Sequence, residues 1–235
     1  MARPGGPDAS GKPGRNCPRC PRLVTFRETW RERQPDWFNA PVPSFGPIDA
    51  RLLIVGLAPG LRGANRTGRP FTGDYAGDLL YTTLAEYGFA RGSYQARPDD
   101  GLALIDCRIT NSVRCVPPEN KPTGGEIITC RDFLKATIAE MQKLAAIVTL
   151  GRIAHDTTLA ALDVPRSKAP FGHGCRQTVG TLALFGSYHC SRLNTNTGVL
   201  TPKMFRAVFA AVCAYLDGRS QAMTSSAFLS GGKTG

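Results

Sequence analysis

The sequence predicts an α/β protein: a three-layer α/β/α sandwich on a mainly parallel, four-stranded central sheet. Three observations predict it. Four short apolar runs recur along the chain, each is followed by a segment of helical period, and the polar, glycine-bearing loops cluster behind the runs. Leu52 to Gly56, Ala103 to Ile109, Ala145 to Leu150 and Thr181 to Phe185 read as strands, because a strand covered on both faces is apolar throughout. Behind the first, Tyr75 to Tyr87 reads as a helix. Behind the second, Thr123 to Lys143 opens with a Thr-x-x-Glu capping box (Thr123, Glu126) and carries Ile127, Leu134, Ile138 and Met141 on one face. Arg152 to Leu162 follows the third run. A last helix has Thr201 as its cap, Pro202 in its first turn, and Met204, Val208, Val212 and Tyr215 as its stripe.

Composition narrows the class. The 235 residues are 42% hydrophobic, enough for a substantial core, and no apolar run is long enough to cross a bilayer, so a membrane partner is not expected. Residues 1–16 form a polar, basic, Gly/Pro-rich segment and residues 219–235 a Ser/Gly-rich one. Both are expected to be disordered tails around one domain over residues 17–218. A formal charge of +11 points to a polyanion, nucleic acid first. The N-terminal residues lack an apolar h-region, so a reducing cytoplasm is expected and the eight cysteines are not read as four disulfides.

In a parallel sheet the ligand crevice lies beyond the carboxyl ends of the strands, where three polar loops should converge. They run from Gly56-Leu-Ala-Pro-Gly60 through Phe71-Thr-Gly-Asp74, from Thr110-Asn-Ser-Val-Arg-Cys115 through Asn120-Lys-Pro-Thr123, and from His189-Cys-Ser-Arg-Leu-Asn194 through Gly198. The glycines of the first let backbone N–H groups approach a ligand, but neither a Walker A nor a GxGxxG pattern is present. Asp74 has the position of a helix N-cap. Asn111 can be a turn residue, or an amide that both donates to and accepts from a ligand. Phe71 is either core or a stacking face. His155 in a helix and His173 in a Gly-rich loop read as structural, whereas His189 stands where the last strand should end. A hydrolase triad through Ser191 is disfavoured by the absence of GxSxG. Cys17, Cys20, Cys115 and Cys130 form a thiolate tetrad suited either to zinc or to a four-iron cluster, while Cys107 and Cys213 read as buried small residues.

GLAPG, RTGRPFTGD, ITNSVRC and HxSxxNxxTG, in this order, resemble the uracil-DNA glycosylase superfamily, and with the cysteines its iron-sulfur branch, the family 5 or B-type enzymes. The likeness spans Cys17 to Tyr215. Two residues depart from the pattern: Gly60 where Ala is expected, and Cys190 where Pro or Val is commoner. The first motif, Leu57-Ala58-Pro59, lacks the water-positioning Asp of the best-known family, as the B type does.

The resemblance implies a monofunctional glycosylase that flips uracil, and other deaminated bases such as hypoxanthine or xanthine, out of DNA and hydrolyses the N-glycosidic bond in base excision repair. It gives Asp74 to water activation and His189 to a hydrogen bond on uracil O2. Gly56, Ala58, Gly60, Phe71, Asn111 and Asn120 would surround the base. Arg62, Arg66, Arg69, Lys121, Ser191 and Arg192 would hold the DNA. Cys17, Cys20, Cys115 and Cys130 would carry a structural 4Fe-4S cluster. A cytoplasmic monomer is expected. The competing expectation is a non-catalytic iron-sulfur or zinc module that only binds nucleic acid: apolar Ala58 favours it, and Asp74 with His189 in one cleft speaks against it.

Overall fold

A computed structural model describes residues 11–230, with side chains to residue 221. Its elements in chain order are α1 (Pro21–Arg33), β1 (Leu52–Gly56), α2 (Ala64–Thr67), α3 (Tyr75–Glu86), β2 (Ala90–Arg91), β3 (Ala103–Leu104), β4 (Cys107–Asn111), α4 (Gly124–Glu140), β5 (Ala146–Leu150), α5 (Arg152–Ala161), β6 (Arg176–Val179), β7 (Leu182–Ser187), α6 (Arg192–Asn196) and α7 (Pro202–Ser230). The central sheet has the order β4-β1-β5-β7-β6, and β2 and β3 form a separate two-stranded ribbon. Every pairing within β4-β1-β5-β7 is parallel, and β6 joins β7 antiparallel. The mainly parallel α/β/α sandwich is therefore present, but its sheet has five strands, not four. β6, with the sequence RQTV, lies at the edge and is mostly exposed, so it lacks the apolar signal that marks a strand covered on both faces.

Alternation along each strand builds two cores. Leu52 and Ile54 of β1, Val148 of β5 and Phe185 of β7 pack with Leu80 and Leu84 of α3 and with Phe205, Phe209 and Val212 of α7. Leu53 and Val55, Ile147 and Leu184 face the opposite layer, with Leu134 of α4 and Leu159 of α5. The apolar run at 103–109 divides in two because Asp106 adopts φ 51°, a left-handed turn. Leu104 pairs with Ala90, and the main sheet resumes at Cys107. The Asp106 carboxylate accepts from Arg51 N (2.7 Å) and Arg51 Nε (2.6 Å), which holds the turn against the start of β1.

Helix ends follow their caps. In α4 the Thr123 hydroxyl accepts from Glu126 N (3.3 Å) and the Glu126 carboxylate accepts from Thr123 N (2.8 Å), the capping box read from the sequence. Thr201 accepts from Met204 N at the start of α7. Two boundaries differ. Helix α1, with few apolar residues, buries only Leu23 and Arg27 and carries no stripe to announce it. Helix α7 continues to Ser230, so residues 219–230, expected without regular structure, extend it. The tails expected at 1–10 and 231–235 lie outside the described residues. Among the described residues no helix is long and apolar enough to cross a membrane.

Thr123→Ala removes one half of the capping box, and the free energy of unfolding should fall by about 1 kcal/mol. A lower urea midpoint at unchanged slope reads this out. An unchanged midpoint would show the cap to be dispensable.

Candidate active site

A cavity of about 340 Å³ opens beyond the carboxyl ends of β1, β4 and β7, lined by Leu57, Ala58, Pro59, Gly60, Phe71, Asp74, Tyr75, Ala76, Asn111, Asn120, His189, Ser191 and Arg192. The three polar loops thus meet where the sheet topology requires. Gly56, the last residue of β1, sits beneath them. A Cβ there would lie 2.5 Å from Asn111 Oδ1 and 2.6 Å from Phe71 Cζ, so the absent side chain is what lets these two residues meet at the cavity.

Asp74 is the N-cap of α3, its Oδ1 accepting from Gly77 N at 3.3 Å. The same carboxylate also lines the cavity. A Cβ at Gly63 would lie 2.5 Å from Asp74 Oδ2, and one at Gly60 would lie 3.1 Å away, so an alanine at position 60 would crowd the carboxylate. Burial raises the carboxyl pKa above its ordinary value and Asp78 adds to the rise, against the lowering effect of the Gly77 and Ala76 backbone N–H groups.

Phe71 takes the left-handed conformation at φ 52°. Its ring centroid lies 6.0 Å from that of His189, with the planes tilted by 30°. Burial lowers the His189 pKa to about 4, so the imidazole is neutral at neutral pH and carries one N–H donor. Asn194 Nδ2 donates to His189 O (2.8 Å) while Ser191 Oγ accepts from Asn194 N (3.4 Å). The HxSxxN spacing is thereby explained by two bonds that shape the loop. Ser191 serves as the cap of α6, the role of a turn hydroxyl.

Asn111 ends β4 and is 3% exposed. Its Oδ1 is buried and has no hydrogen-bond partner, a debt that a ligand donor can meet. Asn120 has φ 57°, is exposed, and stands at the cavity edge. Tyr75 and Ala76 were not singled out by the sequence reading. Both follow Asp74 directly, and the Arg192 guanidinium lies 5.2 Å from the Tyr75 ring centroid.

Of the arginines expected on DNA, Arg62 and Arg66 are exposed outside the cavity lining, as is Lys121, which pairs with Glu119 at 3.4 Å. Arg69 overturns its expectation. It is 5% exposed and held by Asp100 through Nη1 (2.8 Å) and Nη2 (2.7 Å), so it has no free donor face for a phosphate. The same pair holds the Asp100 carboxyl well below its usual range. The two structural histidines are as expected. His155 is buried between Thr149 Oγ1 and Ala169 O, and His173 Nδ1 accepts from Tyr188 N.

Cys17, Cys20, Cys115 and Cys130 line a second, small cavity of about 10 Å³ with Leu23, Val113 and Phe133. They come from the segment before α1, the loop after β4, and α4. Burial first, and neighbouring thiols after it, push the thiol of Cys20 up to about 11 and that of Cys115 up to about 12. A thiolate state at neutral pH therefore calls for a cation. Arg114 N donates to Cys130 Sγ (3.3 Å) and Arg27 Nη1 to Cys115 Sγ (3.8 Å). Arg27 is 3% exposed, and no carboxylate pairs with it among the described residues. Among the described residues no three His, Cys, Asp or Glu side chains are grouped closely enough to hold a single metal ion, so the four thiols are set wider than one zinc ion requires.

The model of the uracil DNA glycosylase superfamily matches residues 43–213. A type-5 uracil-DNA glycosylase of Thermus thermophilus is 44% identical over 199 residues, covering 82% of this chain and 90% of the relative. The type-5 uracil-DNA glycosylase of Mycobacterium leprae is 43% identical over 203 residues (82% and 88% of the two chains), and that of Pyrobaculum aerophilum 38% over 203 residues (85% and 88%). A family model covering most of the chain, relatives alike over nearly their whole length, and a cavity formed by the loops that carry the motifs agree, and this chain belongs to the uracil DNA glycosylase superfamily.

Proposed function

We propose that the protein is a monofunctional uracil-DNA glycosylase that extrudes a deaminated base into the cavity over Phe71 and hydrolyses its N-glycosidic bond. The observation that carries this reading is the buried, unpartnered Oδ1 of Asn111 in a cavity that also holds Asp74 and His189. Uracil N3–H supplies the missing donor, and the amide N–H₂ can donate to O4. Cytosine presents an acceptor at N3 and a donor at N4 and would leave the amide mismatched, which costs a desolvated polar group its bond.

Extrusion costs a few kcal/mol of stacking and pairing, which contacts inside the cavity must offset. Phe71 offers a face to the flipped ring. As the C1′–N1 bond lengthens, negative charge grows on the base and positive charge on the sugar. Neutral His189 donates to the developing oxyanion at O2, an interaction stronger in the transition state than in the ground state. In its ionised form the Asp74 carboxylate orients and deprotonates the water that adds to C1′. Among the described residues no lysine lines the cavity, which supports hydrolysis without an imine step. The volume of about 340 Å³ supports admission of hypoxanthine or xanthine alongside uracil.

Arg62, Arg66, Lys121, Ser191 and Arg192 are the proposed DNA contacts, with Arg66 packed beside Gly73 just ahead of Asp74. Cys17, Cys20, Cys115 and Cys130 are the proposed ligands of a 4Fe-4S cluster. Three features support it: the four sulfurs line one cavity, a peptide N–H donates to one of them, and the buried Arg27 cation lacks an acidic partner that an anionic cluster would provide. When bound, the cluster would tie α1 to α4 and to the loop after β4. Eight free cysteines fit a reducing cytoplasm.

Asp74→Asn and His189→Ala should each slow single-turnover excision of uracil opposite guanine by about ten-fold or more, with affinity for abasic product DNA little changed. Wild-type rates in both would place the chemistry elsewhere. The acid limb of the rate profile should lie above the ordinary aspartate range, since activity appears as pH rises through the raised Asp74 pKa; Asp74→Asn should abolish that limb. No limb should appear near the usual histidine value, because His189 titrates at about 4. Protein purified without oxygen should be brown with iron in place of zinc, and Cys115→Ser should lose both colour and stability; colourless, zinc-loaded protein would sink the cluster assignment.

A further inference from the structure

Behind the cavity, Arg69 and Asp100 form a buried pair whose reach is longer than the two residues. The Asp100 side chain is fully buried and also accepts from Gln95 N (2.9 Å) and Leu102 N (3.1 Å), which ties the loop between β2 and β3 to Arg69. Arg69 Nε donates to Thr72 Oγ1 (2.7 Å), and its guanidinium lies 5.5 Å from the Tyr81 ring centroid and 5.7 Å from that of Tyr94. Tyr94 stacks on Tyr81 with centroids 4.6 Å apart. The Tyr94 hydroxyl then donates to Phe71 O (3.1 Å) and accepts from Gly73 N (3.4 Å), bridging the backbone on either side of Thr72. Phe71 holds a left-handed conformation, φ 52°, which a residue with a side chain keeps only when its surroundings fix it, while Gly73 takes φ 87° at no steric cost.

We propose that Tyr94 is a positioning residue: its hydroxyl clamps the Phe71–Gly73 backbone and so sets the Asp74 carboxylate at a fixed distance from the base resting on Phe71. Tyr94 does not line the cavity, so it acts through the backbone it bridges. Gly77 completes the clamp, because any side chain there would collide with Phe71 O and lie 2.4 Å from the Tyr94 hydroxyl. The proposal rests on the reading of Asp74 as the water-orienting group. Small displacements of such a group are expensive in rate because the reacting atoms must be aligned within a fraction of an ångström.

Tyr94→Phe keeps the ring, its stack on Tyr81 and its contact with Arg69, and removes only the bridge. Single-turnover excision of uracil opposite guanine should slow by about ten-fold, while affinity for abasic duplex stays within about two-fold and the melting temperature drops by only about 2–4 °C. Because Tyr94 acts through Asp74, adding Tyr94→Phe to Asp74→Asn should leave the rate at that of Asp74→Asn alone. Two results overturn the proposal: a wild-type rate in Tyr94→Phe while Asp74→Asn is slow, or a double variant in which the two losses multiply. A wild-type rate in Asp74→Asn would remove the reading of Asp74 itself, and the proposal with it.

Discussion

The site depends on an absence, the missing side chain of Gly56 at the end of the central strand β1. Asn111 from the neighbouring strand and Phe71 from the following loop both occupy the space a Cβ would take. A parallel sheet delivers strand ends side by side, and β1 pairs Gly56 with Asn111 in register. The amide and the aromatic face are therefore set by strand register, with little left to loop flexibility. Glycine at Gly60 and Gly63 does the same for the Asp74 carboxylate. A cavity built in this way is preorganised, so recognition need not order its own walls at the moment of binding.

Positive charge is divided between two tasks. Arg27, Arg69, Arg108 and Arg114 are buried, so part of the formal +11 never reaches the DNA. Arg69 neutralises Asp100 and braces the loop that carries Phe71 and Asp74, while Arg27 and Arg114 stand beside the thiols. A buried cation without a counter-charge is costly, so each of these guanidiniums points to what it must satisfy: a carboxylate for Arg69, sulfur for Arg27. The exposed Arg62, Arg66, Lys121 and Arg192 remain as candidates for phosphate.

Asp74 and His189 are opposed by environment. Burial raises the carboxyl and lowers the imidazole, so both move toward their neutral forms. At neutral pH the imidazole is neutral. In the proposed reaction it would be the donor for the leaving base, and the ionised carboxylate the acceptor for water.

The sequence by itself determined the layers, the helix caps and the location of the cavity. An apolar strand period, a Thr-x-x-Glu box and a polar loop behind each strand are local patterns, and Asn111 and His189 at strand ends and Asp74 at a helix cap lie where those patterns place them. It did not determine β6, whose edge position requires no apolar face, nor α1, which buries little. Tertiary structure alone decided which basic residues are free. Arg69 reads as one more loop arginine until Asp100, 31 residues away, is brought against it by the β2–β3 ribbon. The convergence of Cys17 and Cys20 with Cys115 and Cys130 was likewise settled by packing α1 on α4, because the partner of a buried charge or thiol is chosen by chain crossovers that no local period records.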